Sequence, residues 1–132
     1  MASPAVVGVE VAALGPKTTA RVAQVTARDG IVLEQLIRSY ASGMPGPQVI
    51  TGDYEASIQY RGTQLVGGVM VECHVSSDEP FAHRLEYGFV GVDALGRTVQ
   101  EAPRPHFAPA MARLSVVYPA DVATAVTEAL AE

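Results

Sequence analysis

Tryptophan is absent from the 132 residues, cysteine occurs once, and lysine occurs once, at Lys17. A single cysteine excludes an intrachain disulfide framework and any zinc site built on several thiolates. No apolar run approaches the roughly 20 residues that a membrane-spanning helix needs. The opening MASPAVVGVEV lacks the basic n-region of a secretory signal. Also missing are a Gly-x4-Gly-Lys-Ser/Thr phosphate loop, a Gly-x-Gly-x-x-Gly after a strand, and a His-Glu-x-x-His zinc motif. Bases are scarce: nine against fourteen acids leave a formal charge of −5. That argues against a dedicated nucleic-acid binder, though not against a protein that DNA merely passes. What remains is a chain that is 48% hydrophobic and rich in Ala and Val. Its length suits one soluble domain spanning residues 1–132, able to bury about two-thirds of its unfolded surface.

Residues 6–13 alternate, with Val7, Val9, Val11 and Ala13 on one face, and predict a strand ended by Gly15-Pro16. From Thr18 the period changes. Val22, Val25, Val32, Leu36 and Tyr40, widened by Leu33 and Ile37, predict a long amphipathic helix. Thr18 or Thr19 is its expected cap, and Gly30 in its middle marks a bend or a close approach. After the Pro- and Gly-punctuated stretch 44–53, Tyr54, Ala56, Ile58 and Tyr60 alternate with Glu55, Ser57, Gln59 and Arg61. That reads as a strand turning at Arg61-Gly62, with Gly67-Gly68 a bulge or strand start. Val69, Val71, Cys73 and Val75 then alternate with Met70, Glu72, His74 and Ser76, completing a hairpin with one wet face. Asp78-Glu79-Pro80 signals a short helix over 81–87 closed by Gly88. Residues 89–102 form a hairpin or extended loop turning at Leu95-Gly96. Pro103-Arg104-Pro105 gives a stiff approach to helical sequence from His106 to Ala131, which Pro119 is expected to split. The class is α+β: a small antiparallel sheet packed by a long N-terminal helix and a C-terminal helix.

No catalytic constellation stands out. Cys73 and His74 are neighbours on a strand, so their side chains point to opposite faces, and Cys73 reads as a small core residue. His74, His83 and His106 match no metal-ligand spacing. Asp53 and Glu55 read as a wet strand face rather than an acid/base pair. No catalytic residue, cofactor site or metal site is assigned.

Three segments, in order, carry a resemblance. VITGDYEASI (49–58) is similar to Pro-Val-Asp-Thr-Gly-x-Leu-x-x-Ser-Ile, PFAHRLEYG (80–88) to Tyr-Ala-x-x-Val-Glu-Phe-Gly-Thr, and APRPHFAPAMARL (102–114) to Pro-x-Pro-Phe-Leu-Arg-Pro-Ala-Leu. These are signatures of the head–tail joining, or tail-completion, proteins of long-tailed phages, the gene-ten-like neck family of lambdoid phages. The chain resembles that family over roughly residues 6–131. It departs at Ile50, at Asp53-Tyr54 and in a longer loop after Gly88. The resemblance implies a non-enzymatic virion protein without cofactor, assembled in the host cytoplasm. It implies a homomeric ring, six-fold by preference and twelve-fold as the second choice, between the head connector and the tail tube or tail terminator. DNA would pass through without specific binding. A minor tail component and a small protein-binding module outside phages are the alternatives; an enzyme with a site on the wet sheet face is a third class.

Within that picture the expected subunit or partner contacts are Glu86, Phe89, Val90, Val92, Leu95 and Arg104, with Arg104 bridging to Glu86 of a neighbour. Phe81 and Leu85 are expected to pack inward, leaving Glu86 outside, and Phe107 to anchor the last helix in the core. The expected channel-lining acids are Glu55, Glu72, Asp93 and Glu101, because basic walls would hold DNA by its phosphates.

Overall fold

A computed structural model describes residues 5–43, 52–92 and 94–132. Strand β1 (Ala5–Glu10) leads into helix α1 (Pro16–Tyr40); a short helix α2 (Asp53–Ser57) precedes strands β2 (Gln59–Val66) and β3 (Met70–Ser76). Helix α3 (Ala82–Tyr87), strands β4 (Phe89–Val92) and β5 (Thr98–Glu101), and helix α4 (Phe107–Ala131) complete the chain. The main sheet is antiparallel with β3 between β1 and β2, while β4 and β5 form a separate two-stranded sheet. The α+β class is as the sequence predicts.

The alternation of β3 decides which way the main sheet faces. Val71, Cys73 and Val75 are buried, whereas Met70, Glu72, His74 and Ser76 are half-exposed on the wet face. Helix α1 covers the buried face, and α4 runs antiparallel beside it. Thr26 and Tyr118 share a buried hydrogen bond of 2.7 Å between the two helices. Ion pairs Arg21–Glu128 and Arg28–Asp121 flank it on the surface. Phe107, Ala110, Leu114 and Tyr118 of α4 join Ala5, Val7, Leu33, Ile37 and Val75 in one core, so both long helices pack on the sheet. Phe107 is buried there, as predicted.

Several local expectations are corrected. The stretch from Tyr54 to Ser57 is helical, not extended; the strand begins only at Gln59. Acidic residues Asp53 and Glu55 sit in the first turn of α2, where the helix dipole favours them. Arg61-Gly62 lies within β2, at a register shift between Tyr60 and Thr63, and the chain reverses instead at Gly67-Gly68, where Val69 N–H donates to the Val66 carbonyl over 3.1 Å. Helix α1 starts at Pro16 after Gly15, without a side-chain cap; Thr18 is buried inside the first turn. Its buried line runs Thr18, Val22, Thr26, Gly30, Leu33, Ile37, and Val32 is exposed. The small residues lie at the centre because large partners come close: a Cβ on Gly30 would stand 2.8 Å from Tyr60 Cε1 and 2.9 Å from Cys73 Sγ. Pro119 does not split α4. It sits on the exposed face, where water can serve the Ser115 carbonyl that loses its helical partner.

Candidate functional site

The β4–β5 hairpin is the candidate site, and its root is built from polar groups. In the short helix α3 the inward residues are Ala82 and Glu86, four apart, rather than Phe81 and Leu85; Phe81 is exposed. The Glu86 carboxylate accepts the backbone N–H groups of His106 (2.9 Å), Phe107 (2.8 Å) and Ala108 (3.2 Å). These are donors at the start of α4 that no earlier turn can satisfy. No side chain at the α4 N-cap bonds to them, so a carboxylate from another helix takes that role and meets the positive end of the α4 dipole. Glu86, 5% exposed, is therefore not available to a neighbouring subunit, and the expected bridge from Arg104 has no acceptor there.

His106 is fully buried beside this carboxylate. Its Nδ1 lies 2.9 Å from the Arg104 carbonyl and 3.2 Å from Glu86 Oε1, and its Nε2 lies 2.5 Å from Tyr54 Oη. Nδ1 faces two acceptors and so carries the proton, which leaves Nε2 to accept from the Tyr54 hydroxyl. Burial lowers the His106 pKa against the opposing pull of the Arg104 carbonyl and Glu86, and burial raises that of Tyr54. A neutral imidazole, a phenol held in its protonated form and a carboxylate saturated by N–H groups make a poor acid/base relay. They make a good clamp between α2, α3 and the start of α4.

The hairpin rises from this clamp. Gly88 takes a left-handed φ of 79°, and a Cβ there would fall 2.7 Å from the Glu101 carbonyl oxygen, so only glycine lets the two strands pinch together at the base. Phe89 opposite Glu101, Val90 opposite Gln100, Gly91 opposite Val99 and Val92 opposite Thr98 set the register. On the inner face the Arg84 guanidinium sits 4.0 Å from the centre of the Phe89 ring and pairs with Glu101. Arg104 N–H donates to the Leu85 carbonyl over 2.8 Å, tying the return strand to α3. The outer face carries Val90 and Val92, 72% and 66% exposed, and Leu95 near the tip is 76% exposed. The predicted contact residues Val90, Val92 and Leu95 thus lie together on one arm. Phe89 faces its root and Arg104 is exposed below it.

The predicted channel acids are not gathered. Glu55 lies in α2 rather than on a wet sheet face and accepts the Ser42 hydroxyl at 3.1 Å. Glu72 is on the central strand, 3.0 Å from His74 Nε2, and Glu101 pairs with Arg84 at the arm base. Asp93 lies outside the described residues.

Two features escaped sequence reasoning. The first is an open groove of about 570 Å³ between the start of α1 and the far ends of β2 and β3, with Leu14, Ala20, Ala23 and Leu65 in its wall. Its only signal was the run of small residues Thr19, Ala20 and Ala23 along one side of α1. The second is Asp29, buried between α1 and α4 with Oδ2 unpartnered. Burial and the nearby Asp121 carboxyl push its pKa up to about 6, against the opposing charge of Arg28. The Cys73 thiol is fully buried and pushed up to about 11 by that burial, the state of a core residue rather than a nucleophile. Among the described residues no three His, Cys, Asp or Glu side chains are placed to hold a metal ion, and no helix is long and apolar enough to cross a membrane.

No protein-family profile, curated protein or solved structure matches the chain.

Proposed function

We propose that this chain is a structural neck protein of a long-tailed phage. Copies join into a ring, six-fold by preference, that completes the tail end and meets the head connector. The observation that carries this reading is the clamped arm. A hairpin of two four-residue strands is too short to be stable alone, yet here it is held at its base while presenting two valines to solvent. An apolar pair held outward on a fixed support is the arrangement of an assembly contact. The acidic balance fits as well. Six copies at −5 each carry a formal charge of −30, a balance that works against holding DNA by its phosphates. The work such a protein does is geometric: identical surfaces repeat around an axis and leave a channel.

Mixing the purified chain with tails that lack their neck tests the reading. Rings in negative-stain images and co-sedimentation of the chain with tails are expected. Co-sedimentation without rings would reassign the chain as a minor tail component, and failure to associate with tails or heads would remove the phage reading.

A further inference from the structure

The groove lies at one end of the main sheet, and the chain leaves for the arm from the other end. Strand β3 begins at Met70, beside the groove, and ends at Ser76, from which the chain passes through α3 into the arm. Seven residues of strand separate the two ends by roughly 20 Å. An arm of four-residue strands, pinched at Gly88 and clamped at Glu86, is not placed to fold back over that distance.

The two surfaces match in chemistry. None of the twelve residues lining the groove carries a charge, and its wall is mainly aliphatic. The outer face of the arm is equally uncharged, with Val90 and Val92 beside Thr98 and Gln100. Joining two uncharged surfaces leaves no charge buried without a partner. The arm brings three exposed aliphatic side chains, Val90, Val92 and Leu95, to an open groove of about 570 Å³.

The geometry points to a second copy of this chain as the groove's occupant: the β4–β5 arm of one subunit seats in the α1/β2–β3 groove of the next. This contact deepens the ring reading above and rests on it. Because donor and acceptor surfaces differ, the contact is head-to-tail. Repeated in one sense around an axis, such contacts close into a ring, whereas two copies that exchange arms reciprocally would stop at a two-fold dimer and give no ladder.

Engineered cysteines test it, since native Cys73 is fully buried. Copies carrying Val92→Cys are mixed with copies carrying Leu65→Cys or Ala20→Cys and oxidised mildly. Disulfide-linked dimers are expected only between unlike variants, and a ladder of higher species from a chain bearing both Val92→Cys and Leu65→Cys. Val90→Asp with Val92→Asp on the arm should abolish oligomers while the far-UV circular dichroism stays native. Crosslinking of like with like, or rings that form without a Val92–Leu65 or Val92–Ala20 crosslink, overturns the contact and leaves the neck reading intact. A chain that stays monomeric and uncrosslinked at its highest soluble concentration overturns the contact too, while co-sedimentation with tails still decides the neck reading. The reverse result, a head-to-tail crosslink in a chain that never associates with tails, keeps the contact and removes the phage role.

Discussion

The chain builds two β-hairpins from similar sequence and uses them in opposite ways. In β2–β3 the alternating residues Val71, Cys73 and Val75 face α1 and vanish into the core. In β4–β5 Val90 and Val92 alternate in the same manner, yet among the described residues no helix covers them. Period-two hydrophobicity therefore reports a strand face but not what covers it. Coverage depends on the rest of the chain: α1 supplies a 25-residue lid for the first hairpin, whereas the second is braced only at its root, by Arg84 on Phe89 and by the Glu86 clamp. One hairpin is a foundation and the other a projecting part.

The largest test of that contrast is at the root. Glu86→Ala leaves three backbone donors at the start of α4 without their acceptor. It should cost about 3–5 kcal/mol, the scale of removing one partner from a buried charged cluster. Phe107→Ala should cost a similar amount, about 3–5 kcal/mol, through the cavity it leaves. Urea denaturation measures both, and Glu86→Gln, which keeps an acceptor oxygen, should lose less. If Glu86→Ala unfolds at the wild-type midpoint, the clamp is not what holds the arm.

Next comes the foundation. Gly30→Ala gains about 1 kcal/mol of helix propensity. Its new Cβ must nevertheless displace Tyr60 and the Cys73 sulfur, so a net destabilisation of about 1–3 kcal/mol is expected in thermal melts. A stabilised variant would mean that α1 can lift from the sheet at little cost.

A smaller and pH-dependent effect belongs to Asp29. Its carboxyl titrates near 6 in the folded chain against 3.8 ordinarily, so the native state keeps a proton that the unfolded state has lost. Stability is thus greatest below pH 4 for this group and falls as pH rises to about 6, by an amount on the order of 3 kcal/mol. His106 acts in the other direction. Its lowered pKa means that the unfolded chain takes up a proton first, and stability falls as pH drops below 6.5. Asp29→Asn should stabilise the chain by about 1–2 kcal/mol at pH 7 and remove the Asp29 part of the pH slope, which melting curves from pH 4 to 8 would reveal. An unchanged pH profile would show that Asp29 ionises freely.

The smallest effect on folding is expected at the arm. Val90→Ser and Val92→Ser should shift stability by less than about 0.5 kcal/mol, as exposed positions do. Their effect should appear in assembly instead, as lost oligomers in sedimentation runs. A large loss of stability would place the arm against its own body.

Much of this was readable beforehand, and the misreadings share physical causes. The long helices, β3 and the hairpin turning near Leu95-Gly96 follow from period and punctuation. Helix α2 did not, because five residues are too few to display a 3.6-residue repeat, and Tyr54, Ala56, Ile58 and Tyr60 mimic a strand across its end. Phe81 and Leu85 looked like the inward pair of α3 because they are apolar. The inward pair is Ala82 and Glu86, since the start of α4 needs an acceptor more than the core needs a phenyl ring. That need was visible in outline: Pro103-Arg104-Pro105-His106 offers no Ser, Thr, Asp or Asn to cap the helix that follows. A groove formed by residues as far apart in sequence as Ala20 and Leu65 leaves no comparable trace.

The Glu86 clamp also lays out a path along which a load on the arm would travel. A pull on the arm enters α3 at Gly88 and crosses through one carboxylate to the first turn of α4. From there it spreads along 25 residues of helix braced against α1 by Thr26–Tyr118 and the flanking ion pairs. Strain at a single contact is thereby distributed over the whole length of the body instead of being absorbed by a bending loop. A ring of such parts would stiffen as a unit, each joint borrowing the rigidity of the longest element behind it.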